Sequence, residues 1–221
     1  MAYMYSLPER VADGTVHIIG IGLSIAATTL LVVYAARTQS GLDVAAVSIY
    51  GAMAILAFSA SALYHMTPWA NMRGLLQRVD HAAIYLKIAG TYTPLVVLLG
   101  SAFGYAVLGF VWCLALAGAL GKLTQWLKPG LASTLLYIAL GWTSLVLIGP
   151  LIMAVPALTL WLMLAGGLVY TIGAFVNHWE TLRFNVAIWH VFVLAGSTLF
   201  FIAILTALDA QRDVPLALAA M

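Results

Sequence analysis

The sequence predicts an all-α fold, a bundle of seven transmembrane helices. Hydrophobic residues make up 64% of the 221 residues and charged ones 7%, with a mean hydropathy of +1.07. A soluble domain carries about 25% charged residues. The few charges also fall in clusters that cut the chain into uncharged stretches of bilayer length or longer. This composition excludes a soluble globular enzyme and a disordered tail. The net charge of +2 is too small and too scattered for a phosphate-binding stripe, so no nucleic-acid partner is expected. The single cysteine, Cys113, excludes a disulfide framework and a thiolate metal cluster.

A helical span needs about 20 apolar residues to cross about 30 Å of hydrocarbon. Asp13 to Arg37 encloses a first span, and Asp43 to Arg73 a second that ends near His65. Residues 88–121 carry no charge and as one helix would reach ~50 Å, so they need a turn. Gly100-Ser101-Ala102-Phe103-Gly104 supplies it. Residues 129–177 are also uncharged and would reach ~75 Å. Pro150 and Pro156 bracket the turn expected there, because proline sits best at helix ends. The expected helices are residues 15–36, 44–65, 80–99, 104–122, 131–150, 157–176 and 186–207, in a single membrane domain over 1–221. Glu9, Arg10 and Asp13 precede the first span, and no basic segment or clear cleavage site marks a signal peptide.

Lys and Arg concentrate in cytoplasmic loops. The N-terminal tail and the even-numbered loops hold Arg10, Arg73, Arg78, Lys122, Lys128 and Arg183, whereas the other side holds Arg37 and Arg212. The expectation is an N-terminus inside and a C-terminus outside.

An ionisable residue inside a span is costly and is a functional-site candidate by default. His17 lies early in the first span, His65 ends the second, Asp80 begins the third and His190 lies early in the seventh. Antiparallel threading puts all four near the cytoplasmic end. Two histidines and an aspartate from three helices suit a zinc site with His65, His190 and Asp80 as ligands. A zinc there would lower the pKa of a bound water toward ~7. Asp80 either ligates directly or holds the water as general base. Ser61, one turn before His65 on the same face, would orient water or steady an oxyanion. Each residue also has a bland reading. Histidines near helix ends often rest at headgroup level, Asp80 would suit a helix N-terminus, and Ser61 would bond its own i−4 carbonyl. Lys87 lies on the face of Asp80 two turns deeper, to pair with it or snorkel away.

At these residues the chain resembles the hemolysin III group of the progestin and adipoQ receptor family. The matching segments are Ser61-Ala62-Leu63-Tyr64-His65, Asp80-His81-Ala82-Ala83-Ile84-Tyr85 running into Ile88-Ala89-Gly90-Thr91-Tyr92-Thr93-Pro94, and Ala187-Ile188-Trp189-His190 with Phe192-Val193. Glu9 and His17 also fit the family's N-terminal pattern. The resemblance implies a seven-helix bundle in the inner membrane of a bacterium. It also implies a cytoplasmic-side zinc held by one histidine of the second helix and an HxxxH pair of the seventh, with an aspartate of the third helix holding a water. His65, Asp80 and His190 match that pattern. The first histidine of the pair is Val186, a later histidine is Phe200, and Lys87 replaces an apolar residue. The third ligand is then left to Asp80, His81 or His17.

Two functions follow from the resemblance. One is a zinc-dependent hydrolase of a lipid amide, ceramidase-like, with Asp80 and Ser61 catalytic and a lipid-like substrate entering from the membrane. The other is a non-catalytic membrane protein, whether receptor-like, a membrane-homeostasis factor or a cytolysin, whose polar cluster ties helices together. No span carries a repeated polar stripe for a channel, and the seventh has no lysine for a retinal Schiff base.

Overall fold

The computed structural model describes residues 6–219 of the chain, with side chains through Arg212. These residues form helices α1 (Leu7–Thr38), α2 (Gly41–Met66), α3 (Arg73–Leu99), α4 (Ala102–Leu123), α5 (Leu131–Trp142), α6 (Ile148–Ala154), α7 (Ala157–Asn177) and α8 (Asn185–Ala219). A 3-10 turn, Thr143–Leu147, joins α5 to α6, and the three together make the fifth span, Leu131–Ala154. Seven helical spans are long and apolar enough to cross a membrane, and no strand occurs among the described residues.

Local capping sets the helix ends beyond the apolar stretches that the sequence marks. α1 begins at Leu7 rather than near residue 15, because a capping box starts it early. Ser6 N and Ser6 Oγ both donate to Glu9 Oε2, at 2.8 and 2.6 Å. Polar residues thus extend the helix by two turns beyond the apolar stretch, which makes Asp13 helical. α3 begins at Arg73, so Asp80 lies two turns inside it rather than at its start. It ends at Gly100, whose φ of 59° is the left-handed cap that glycine adopts freely. Ser101 then caps α4 by accepting from Gly104 N at 3.0 Å, as the turn expected there requires.

Pro150 does not end the fifth span. It is the third residue of α6, within the first turn, where its missing N–H costs least. The α-hydrogen bonding fails just before it, over the 3-10 segment 143–147. Pro156 caps α7.

α1 packs on α2 and α8, α2 on α3, α3 on α4, and α7 on α8. Small residues bring these axes close, as expected where lipid supplies no hydrophobic drive between helices. A Cβ on Gly20 of α1 would lie 2.7 Å from the Phe58 ring of α2. Gly173 of α7 likewise rests against Phe192 of α8. One end of the bundle is packed solid by Leu31, Val47, Tyr50, Leu98, Ile204 and Leu208. A long cavity reaches the other end, where α1, α3 and α8 begin and α2 ends. The fifth span touches its neighbours at few points, and this cavity, of about 1280 Å³, opens between it, α2, α3, α7 and α8.

Candidate metal centre

At the end where α1 begins, Asp13 gathers three histidines. His190 Nδ1 donates to Asp13 Oδ1 at 2.6 Å, although the residues are 177 positions apart. His65 Nδ1 lies 3.5 Å from Asp13 Oδ2, and His17 Nε2 lies 3.6 Å from Asp13 Oδ1. The ring centroids of His17 and His190 are 4.3 Å apart, those of His65 and His190 4.7 Å, and those of His17 and His65 5.5 Å. Asp13, His17 and His190 are all buried.

Local structure makes this convergence. Asp13 and His17 are one helical turn apart, so they share a face of α1. Gly20, a turn beyond His17 on that helix, lets α1 lie close to α2. The entry to α8 is fixed by Phe184, held at a φ of 63°, where a residue with a Cβ is strained. Its N–H donates to Glu9 Oε1 at 3.1 Å, so the capping residue of α1 also anchors the turn that aims His190.

Because His190 Nδ1 donates to Asp13, Nε2 carries the lone pair and accepts from Ser61 Oγ at 3.2 Å. A carboxylate on one ring nitrogen fixes the tautomer around metal-ligating histidines and leaves the lone pair on the other, which here meets the Ser61 hydroxyl. Ser61, His65, Asp80 and His190 line the cavity. Asp80 is buried and within electrostatic reach of Ser61, His17 and Asp13.

The donor set fits a metal ion. Asp13, His17 and His190 each offer one ligand atom, and these atoms lie within 4.8 Å of one another. Among the described residues neither ring nitrogen of buried His17 has a hydrogen-bond partner, which suits an imidazole kept for a ligand. Imidazole and carboxylate are both good zinc ligands.

The structure therefore brings His65, His190 and Ser61 together and sets Asp80 on the same cavity wall. The carboxylate that pairs with the histidines is Asp13, which the sequence reading used only to mark the edge of a span. Its signal was the Asp-x3-His spacing to His17, legible only once the helix is known to begin at Leu7. Of the neighbours considered for the third ligand position, His17 joins the cluster. His81 instead faces Tyr64, with ring centroids 6.5 Å apart. Lys87 neither pairs with Asp80 nor snorkels to an interface: its ammonium bonds Ser197 and lines the cavity.

A family model described as haemolysin-III related matches residues 5–201. Hemolysin-3 of Bacillus cereus is 39% identical over 198 residues, covering 89% of this chain and 90% of that protein. Hemolysin-3 homolog of Bacillus subtilis (strain 168) is 35% identical over 205 residues, covering 91% and 95% respectively.

Proposed function

The chain belongs to the haemolysin III-related family, and from that premise we propose that it is a metal-dependent membrane hydrolase of a lipid amide. The observation that carries this reading is the buried Asp13–His17–His190 group, with His65 beside it, set against a cavity whose wall also presents Ser61 and Asp80. Zinc held by Asp13, His17 and His190, with His65 as a further donor, would supply Lewis-acid polarisation of a carbonyl and of water. In this reading the site lies at the cytoplasmic face of a bacterial inner membrane, a placement that the excess of lysine and arginine in the loops at this end supports.

The chain's own residues do the rest. Asp13 accepts from His190 Nδ1 and sets its other oxygen 3.5 Å from His65 Nδ1. Asp80 is placed to take a proton from an attacking water and return it to the departing amine nitrogen. Ser61 donates toward the reacting centre and steadies developing negative charge on the carbonyl oxygen. Acyl chains fit the apolar part of the cavity. Ile148, Ile152 and Trp161 line that cavity and are also exposed on the outer surface, so a lipid enters sideways between the fifth span and α7.

The test is turnover of a fluorescent ceramide by zinc-loaded protein in phosphatidylcholine nanodiscs. Hydrolysis that a chelator stops and zinc restores, and that Asp80→Asn abolishes, supports the reading. Turnover indifferent to chelator and to Asp80→Asn overturns it.

One observation favours a second reading. Asp13 joins histidines from α1, α2 and α8, so the cluster would also serve as a polar clamp in a non-catalytic membrane protein. In that case zinc-loaded protein turns over no lipid amide, and His190→Ala lowers thermal stability as its main effect.

A further inference from the structure

A second polar site lies deeper in the same cavity. Lys87 is seven residues beyond Asp80 on α3, about 10 Å further along the axis. Its Nζ donates to Ser197 Oγ at 2.7 Å. Ser197 has one hydroxyl proton, which goes to Val193 O at 2.6 Å. Its oxygen therefore accepts from both Lys87 and the Tyr170 hydroxyl, the latter at 2.8 Å. Ser197 is saturated and does not line the cavity, so it serves as an anchor for the ammonium and not as a nucleophile.

An ammonium has three donors. One is used, and among the described residues the other two meet no oxygen acceptor. Around them stand the Phe58 and Tyr170 rings, with centroids 4.7 and 5.1 Å from Nζ. No carboxylate among the described residues lies within ion-pair distance of Lys87, since the ion pairs there all belong to Asp13. Ring faces attract a cation but do not cancel its charge. A cation held at membrane depth without a counter-charge calls for an anion from outside the chain. Lys87 faces the cavity, and so do Leu95, Leu151, Leu160 and Met163 further in. The occupant that matches one fixed positive charge and a long apolar wall is an amphiphile with an anionic head.

We propose that Lys87, held by Ser197 and flanked by Phe58 and Tyr170, binds the anionic head group of an amphiphile whose tail fills the apolar part of the cavity. The site goes beyond the hydrolase reading and holds whether or not the Asp13 cluster carries a metal. A fatty-acid carboxylate and a lipid phosphate share the required chemistry.

The experiment is displacement of dansylaminoundecanoate from the full-length protein in phosphatidylcholine nanodiscs after chelator treatment. Laurate, dodecyl phosphate, dodecanol and dodecyltrimethylammonium are compared at equal chain length. Either anion is expected to bind roughly tenfold or more tighter than the alcohol, the margin of a hydrogen bond to a charged group. Which anion leads identifies the source as a fatty acid or a lipid phosphate. Lys87→Met should erase the preference and Lys87→Arg keep it, while Lys122→Met, at the cavity's other lysine, should leave it intact. Alcohol or ammonium displacing as well as laurate overturns the proposal on wild-type protein alone, however the variants fold. A preference that survives Lys87→Met, or that vanishes in Lys122→Met, overturns it as well.

Discussion

His190 Nδ1 donates to Asp13 Oδ1 at 2.6 Å, joining the first and last spans of the bundle through one buried hydrogen bond. The same carboxylate faces His65 through its other oxygen. Asp13 thus fixes the imidazole of His190 and lies beside that of His65, and what it does to them determines what the site can hold.

Asp13→Asn keeps the shape but removes the negative charge and offers only one acceptor oxygen. Loss of an orienting carboxylate lowers metal affinity by about 10- to 100-fold. Zinc affinity measured against a competing chelator should fall by that margin, with helical content unchanged. An unaltered affinity would show that Asp13 neither ligates nor orients.

Val186 lies one helical turn before His190 and lines the cavity. Val186→His would add an imidazole on the face that His190 already uses. Zinc affinity should rise by about tenfold or more, in line with one added ligand bond. No change would place Val186 outside the coordination sphere.

Ser61→Ala and Asp80→Asn should separate chemistry from metal binding. We expect ceramide turnover to fall by about 10²–10³ for Ser61→Ala and by about 10²–10⁴ for Asp80→Asn, with near-full zinc content in both. Elemental analysis alongside the rate measurement checks this, and zinc lost in step with activity would assign Asp80 to the ligand set instead.

Glu9→Ala removes both the capping box of α1 and the acceptor that holds Phe184 N. Loss of a cap costs about 1 kcal/mol, and the strained turn into α8 loses its anchor. The unfolding temperature in detergent should drop by several degrees. Zinc affinity should fall with it, because His190 hangs from that turn. A stability loss without any change in zinc affinity would show that the turn aims itself.

The seven spans were legible because lipid leaves the chain few options. Uncharged stretches had to be helical, and their lengths fixed the turn at Gly100 and the entry to α7 after Pro156. The gathering of His17, His65, Asp80 and His190 at one end of the bundle followed from threading alone, with Ser61 one turn from His65. Asp13 was hidden because hydropathy marks where a helix enters the membrane, not where it begins. The Ser6–Glu9 box carries α1 two turns further, and those turns hold the carboxylate. The break at Thr143–Leu147 was hidden because proline was read as a stop, whereas Pro150 sits in the first turn of a restarted helix. The partner of Lys87 was hidden for a different reason: Ser197 lies 110 residues away, on a helix whose rotation only packing determines.

The most direct measurement is the zinc content of purified wild-type protein beside that of His17→Ala, determined by elemental analysis after dialysis against buffered zinc. About one zinc per chain is expected in the wild type and its loss in the variant, with both proteins monodisperse and helical. A wild-type protein that takes up no zinc, or a His17→Ala protein that keeps a full equivalent, would contradict that expectation.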